Sequence, residues 1–103
     1  MRIFFPFNKK EYYSSFQQDL DYALQLMKDH PAHRLTLVGF ADRHGNEQYN
    51  LNLSRERAQV ISDYLTQNGI AKKRISLQFK GAEEEIDITY HILNRRVELI
   101  IQK

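Results

Sequence analysis

The sequence predicts an α/β domain: a two-layer sandwich in which two helices cover one face of a mixed sheet, in the order β-α-β-α-β-β. Three observations predict it. Two stretches carry apolar residues at steps of three and four, the stripe of an amphipathic helix. Short runs rich in branched, aromatic or alternating apolar residues precede, separate and follow them. The length, 103 residues, fits one domain with a single core.

The elements follow in order. Residues 2–7 are short and aromatic and read as a strand, with Pro6 arguing against a central position. Residues 8–13 form a polar connection. Phe16, Leu20, Ala23, Leu24 and Met27 then mark a helix that ends near His30, because Pro31 cannot continue it. Residues 34–40 read as a strand, and Gly39 marks its end or a close backbone approach. Residues 41–52 read as a long polar loop, a feature that is uncommon in a compact domain and often functional. Ser54 is the expected N-cap of the second helix, whose buried stripe is Ala58, Ile61, Tyr64 and Leu65. Asn68 and Gly69 close it, with Gly69 suited to the left-handed position after the helix. Residues 74–80 alternate as a half-buried strand, with Ile75, Leu77 and Phe79 facing the core. Residues 86–93 alternate too, which fits a strand, with a short helix as the alternative. Residues 96–101 form the last strand.

Composition excludes several classes. The chain has no Cys, hence no disulfide framework and no thiolate metal site. It has no apolar stretch near the roughly 20 residues that span a bilayer. Residues 3–7 are too short for the apolar core of a secretory signal. A net charge of +2 is too small to argue for nucleic acid. His30 and His33 are separated by Pro31, so helical metal-ligand geometry is not expected. Lys72, Lys73, Arg74 and Lys80 read as a solvated basic edge. The sequence shows no nucleophile with a spaced base, no phosphate-cradling glycine loop and no credible carboxylate pair. An enzyme is not expected, nor is a cofactor or metal.

The informative stretch is residues 39–58. With Ser54 as N-cap, Arg57 falls at the third helical position, facing the positive end of the helix dipole. A cation there is misplaced for stability, yet together with free helix N–H groups it makes a strong anion site. The plainer alternatives are a solvated Arg or a pair with Asp42 or Glu56. Asp42 follows the second strand by a few residues, where sites in α/β layers usually form. If the loop folds back, Asp42 and Arg57 meet at one end of the sheet. A carboxylate and a guanidinium side by side either pair with each other or hold a zwitterion.

These residues carry a family resemblance. Gly39, Asp42, Gly45, Tyr49-Asn50, Leu53-Ser54 and Arg57-Ala58 stand at the spacing of the OmpA-like C-terminal domain. Outer-membrane porin tails, peptidoglycan-associated lipoproteins and flagellar stator proteins share that domain. The match continues through Tyr64-Leu65, Gly69-Ile70, Arg74-Ile75, Gly81 and Asn94-Arg95-Arg96-Val97-Glu98, and covers nearly the whole chain. The resemblance implies non-covalent binding of peptidoglycan through the diaminopimelate of its stem peptide. Asp42 would hold the ammonium and Arg57 the carboxylate. Ala41, Leu53, Ala58 and Arg96 complete the expected ligand-binding set, Arg96 being taken from the Arg95-Arg96 pair.

It implies further that residues 1–103 are one OmpA-like domain, the C-terminal part of a larger envelope protein, periplasmic in a Gram-negative bacterium. Other envelope proteins are implied partners beside the wall; nucleic acid and membrane insertion by this domain are not. Three departures stand out. Ala41 replaces the family's Thr, Phe40 its His or Tyr, and the segment after Gly81 lacks its Gly-Glu-x-x-Pro run. They motivate a second reading, a protein-interaction scaffold whose wall binding has faded. A third reading, from topology alone, is a single-stranded RNA binder, which would need exposed rings on a central strand.

Overall fold

Alternation and helical period both resolve into one core. The computed structural model describes residues 1–42, 46–82 and 91–103. The strands are β1 (Arg2–Phe4), β2 (Arg34–Gly39), β3 (Ile75–Phe79) and β4 (Arg96–Gln102); the helices are α1 (Gln17–Asp29) and α2 (Glu47–Gln67). The sheet order is β1-β4-β2-β3. β2 and β3 run parallel across the α2 connection, and β4 is antiparallel to both β1 and β2. The mixed sheet expected from the sequence is therefore present. β1 is shorter than expected and stops before Pro6. The possible strand at 86–93 lies largely outside the described residues, and His91–Asn94 forms a 3₁₀ turn.

Register stacks the apolar positions. Leu35 lies beside Ile75 and Ile101, Leu37 beside Leu77 and Leu99, and Ile3 beside Val97. From α1 come Leu20, Ala23 and Met27; from α2 come Ala58, Ile61 and Leu65. All join the same buried cluster as Ile3, Leu35, Leu37, Val97 and Leu99. Both helices thus cover one face of the sheet. Fully burying such a side chain stabilises by about 1.5–3 kcal/mol. Phe79 departs from expectation: it closes the edge strand β3 and stays 42% exposed.

Arg74 also departs from expectation. Its guanidinium donates to the carbonyls of His33 at 3.0 Å, Met27 at 2.8 Å and His30 at 2.7 Å. It closes the C-terminal end of α1, where carbonyls lack helical partners and the dipole favours a cation. Arg74→Met should lower stability by about 2 kcal/mol, the value of about one bond to a charged group, because solvent reaches the partly exposed guanidinium and replaces much of the rest. A urea midpoint lowered at unchanged slope would show it. His30 and His33 stack with ring centroids 4.5 Å apart. No cluster of three or more metal-ligating side chains exists among the described residues.

Two glycines position the end of the sheet under α2. A Cβ on Gly39 would lie 2.0 Å from the main-chain oxygen of Ser54, so the helix rests on bare backbone. Gly81 has φ +59°, the left-handed region. Its N–H donates to Ser54 Oγ at 2.9 Å, and its carbonyl accepts from the N–H of Ala41 at 2.7 Å. This chain of bonds runs from α2 through Gly81 to the residue before Asp42.

Candidate functional site

The site begins with where α2 starts. Its N-cap is Asn46, whose side chain accepts from the N–H of Tyr49 at 2.7 Å. The expected loop over 41–52 is thus helical from Glu47 onward. Ser54 is no cap: it lies inside the helix, with Oγ donating to the Leu51 carbonyl at 2.7 Å. Arg57 is correspondingly deep within α2 and not in its first turn. The helix start therefore offers no N–H groups beside it, and the dipole argument does not apply.

With the helix begun about two turns earlier, Asn50, Leu53 and Arg57 fall on one face at steps of three and four. They line a cleft with Phe7, Asn8, Asp42 and Tyr49. Its volume is about 350 Å³, within the range of roughly 300–1,000 Å³ usual for small-ligand sites.

Arg57 is the most deeply placed of these, with no exposed surface. Its Nε donates to the Lys9 carbonyl at 2.9 Å, Nη1 to Phe40 at 3.1 Å and Nη2 to Pro6 at 3.1 Å. The guanidinium also sits 5.3 Å from the centre of the Phe5 ring. Of the plain alternatives, a solvated Arg or one paired with Asp42 or Glu56, none describes these bonds to three carbonyls, although the charge of Asp42 acts on the group. Burial pushes its pKa down to about 10; the charge of Asp42 opposes that shift and the charge of Arg95 adds to it. At neutral pH the group is charged.

Asp42 is 4% exposed and accepts from Arg95 Nη1 at 3.1 Å. Arg95 Nε donates in turn to the Phe5 carbonyl at 3.1 Å. The third polar group is Asn50. It is 5% exposed, and its side-chain amide has no hydrogen-bond partner among the described residues. A buried amide left open in this way is rare, and water or a ligand in the cleft would satisfy it.

Of the expected set, the cleft brings together Asp42, Leu53 and Arg57. Ala41 and Ala58 are buried, Ala58 in the core. Arg96 lies elsewhere. Its guanidinium is 3.8 Å from the centre of the Phe40 ring and pairs with Glu98 at 2.7 Å, because the alternation of β4 turns it away from the helices. Of the two adjacent arginines, Arg95 is the one that reaches Asp42. Sequence reasoning missed Arg95 for that role and missed Asn8, Tyr49 and Asn50. Asn46 followed by the acidic Glu47 was the available signal, since it starts a helix that aligns Asn50 with Arg57.

The sequence profile of the OmpA family matches residues 4–97. The chain belongs to the OmpA family. It is 31% identical to the peptidoglycan-associated lipoprotein of Rhizobium meliloti (strain 1021), over 97% of this chain and 59% of that protein. It is 36% identical to outer membrane protein A of Klebsiella aerogenes, over 82% of this chain and 25% of that protein. The crystal structure of the peptidoglycan-associated lipoprotein from Burkholderia pseudomallei superposes with a TM-score of 0.92 at 25% identity, covering 98% of this chain and 89% of the other. The chain spans about three fifths of the length of the first of these relatives. This OmpA-like domain has the two-layer fold of the solved peptidoglycan-associated lipoprotein, and the relatives it matches are named as lipoproteins and outer membrane proteins.

Proposed function

We propose that this OmpA-like domain binds peptidoglycan without covalent attachment, by taking the zwitterionic end of a diaminopimelate side chain into the cleft. The observation that carries this reading is the convergence of a buried carboxylate, a buried guanidinium and an open buried amide on one small cleft. The names of two of these relatives support it, since those proteins are called peptidoglycan-associated lipoproteins.

Asp42 accepts from the ligand ammonium beside its bond to Arg95. Arg57 offers the carboxylate the N–H groups that its three carbonyl partners leave over. Asn50 carries both a donor and an acceptor for the same charged head. Leu53 and Phe7 pack on the methylenes that lead out of the cleft. In the cell, the domain would tie a parent envelope protein to the wall, in the periplasm of a Gram-negative bacterium. On this reading residues 1–103 are one module of that parent.

The test is a titration with meso-diaminopimelate and a stem peptide, followed through amide shifts. Shifts should gather at residues 6–8, 42 and 49–57. Asp42→Asn keeps the shape and removes the charge. It should weaken binding about 10- to 100-fold, the equivalent of one charged hydrogen bond. Equal affinity in that variant would remove Asp42 from the role. A folded domain without shifts at millimolar ligand would favour the scaffold reading.

A further inference from the structure

A second groove adjoins the cleft. It is about 420 Å³ in volume and is bounded by Asn8, Lys9, Lys10, Glu11, Tyr49, Asn52, Leu53 and Glu56. Asn8, Tyr49 and Leu53 border both spaces, so the two adjoin. Tyr49 stands on the shared border and is 41% exposed. Asn8 has φ +57°, a left-handed conformation that Asn tolerates. Just past that turn, the main-chain oxygen of Lys9 is held by Arg57. The guanidinium that lines the cleft therefore also fixes the wall of the groove.

The charges of the groove are mixed. Lys9 and Lys10 supply two cations, Glu11 and Glu56 two anions, and neither lysine has an ion-pair partner among the described residues. A balanced lining disfavours a polyanion such as nucleic acid. It suits a short polar peptide that carries amides and an occasional charge.

Resting on the function proposed above, we propose that this groove is a second subsite, which takes the stem-peptide residue bonded to the diaminopimelate and holds its carboxylate with Lys9 and Lys10. Stem-peptide chemistry provides two such carboxylates. A γ-linked glutamate precedes diaminopimelate and keeps its α-carboxylate free. A terminal alanine follows it and ends in one. A ligand anchored by its side-chain end in the cleft has either neighbour within reach of the adjoining groove.

The experiment compares four ligands by titration calorimetry at low salt: free meso-diaminopimelate, the tetrapeptide, and the tetrapeptide amidated at the glutamate α-carboxylate or at the terminal alanine. One of the two amides should bind about fivefold more weakly than the parent peptide, as expected for exposed charge pairs. The affected amide identifies which carboxylate occupies the groove. In Lys9→Gln/Lys10→Gln that difference should vanish. If both amides match the parent peptide, or the difference survives in the double variant, the subsite is wrong while the cleft stands, provided free diaminopimelate binds. If nothing binds, both readings fall together.

Discussion

Arg57→Ala is expected to abolish the proposed diaminopimelate binding and to lower stability by about 4 kcal/mol, since it leaves the Lys9 and Phe40 carbonyls without donors at about 1–3 kcal/mol each where buried, while the Pro6 carbonyl keeps the Lys9 N–H. That loss is a large part of the 5–15 kcal/mol typical of a domain. Both effects have one origin, because the group assigned to the proposed ligand also holds Pro6, Lys9 and Phe40 in place. Its charge is retained against burial. With its pKa lowered by burial to about 10 in the fold, below that of an arginine in the open chain, the unfolded state binds more protons from about that pH upward. Stability therefore rises with pH across that range, and at neutral pH the buried charge is a burden. An anionic ligand relieves it. The variant should melt early in a thermal scan and gain no stability from added ligand. Wild-type melting with ligand-induced stabilisation intact would refute the assignment. Asp42→Asn separates the roles, because it leaves all three carbonyl bonds in place.

Gly39→Val is expected to be the most damaging single substitution in the sheet. Even an alanine Cβ would stand 2.0 Å from the Ser54 carbonyl oxygen, and that atom belongs to helix backbone, not to a side chain that can turn aside. Helix α2 would have to lift from β2. Overpacking usually costs about 1–3 kcal/mol and sometimes more; here about 3 kcal/mol for Ala and more for Val is expected. For a domain of this size, the Ala variant should melt roughly 15 °C lower. Any folded fraction should also bind weakly, because lifting α2 carries Asn50 and Arg57 away from Asp42. A Gly39→Ala protein with unchanged melting temperature would show that the helix does not rest on this glycine.

The layers, the sheet and the core were legible because period and alternation are strong where one face is buried. Leu35, Leu37, Val97 and Leu99 announce themselves in this way, as do Leu20, Ala23 and Met27. The first two turns of α2 were not legible, for a physical reason. Residues 46–52 present one face to solvent and another to a polar cleft, so their apolar content is low and they read as loop. That single misreading displaced Arg57 to a helix start and hid Asn50. The pairing of Asp42 with Arg57 was reached through the strand end and the family spacing, and both residues do line the cleft. Choosing between Arg95 and Arg96 required the register of β4, which follows from pairing with β2 and β1 and not from the local string.

The bonds of Arg57 join positions 17, 48 and 51 residues apart. No fragment of the chain can assemble the cleft by itself: neither α2 nor the segment after β1 holds a partial version of it. Affinity must therefore appear in one step with the completed fold, and a nascent or half-unfolded copy has none. The same dependence works in reverse through mass action. Each tenfold rise in free ligand above its dissociation constant holds the native state by about 1.4 kcal/mol more. On the proposed function, a copy surrounded by a dense array of ligand would be guarded against unfolding by the polymer that carries it, and would lose that protection on release.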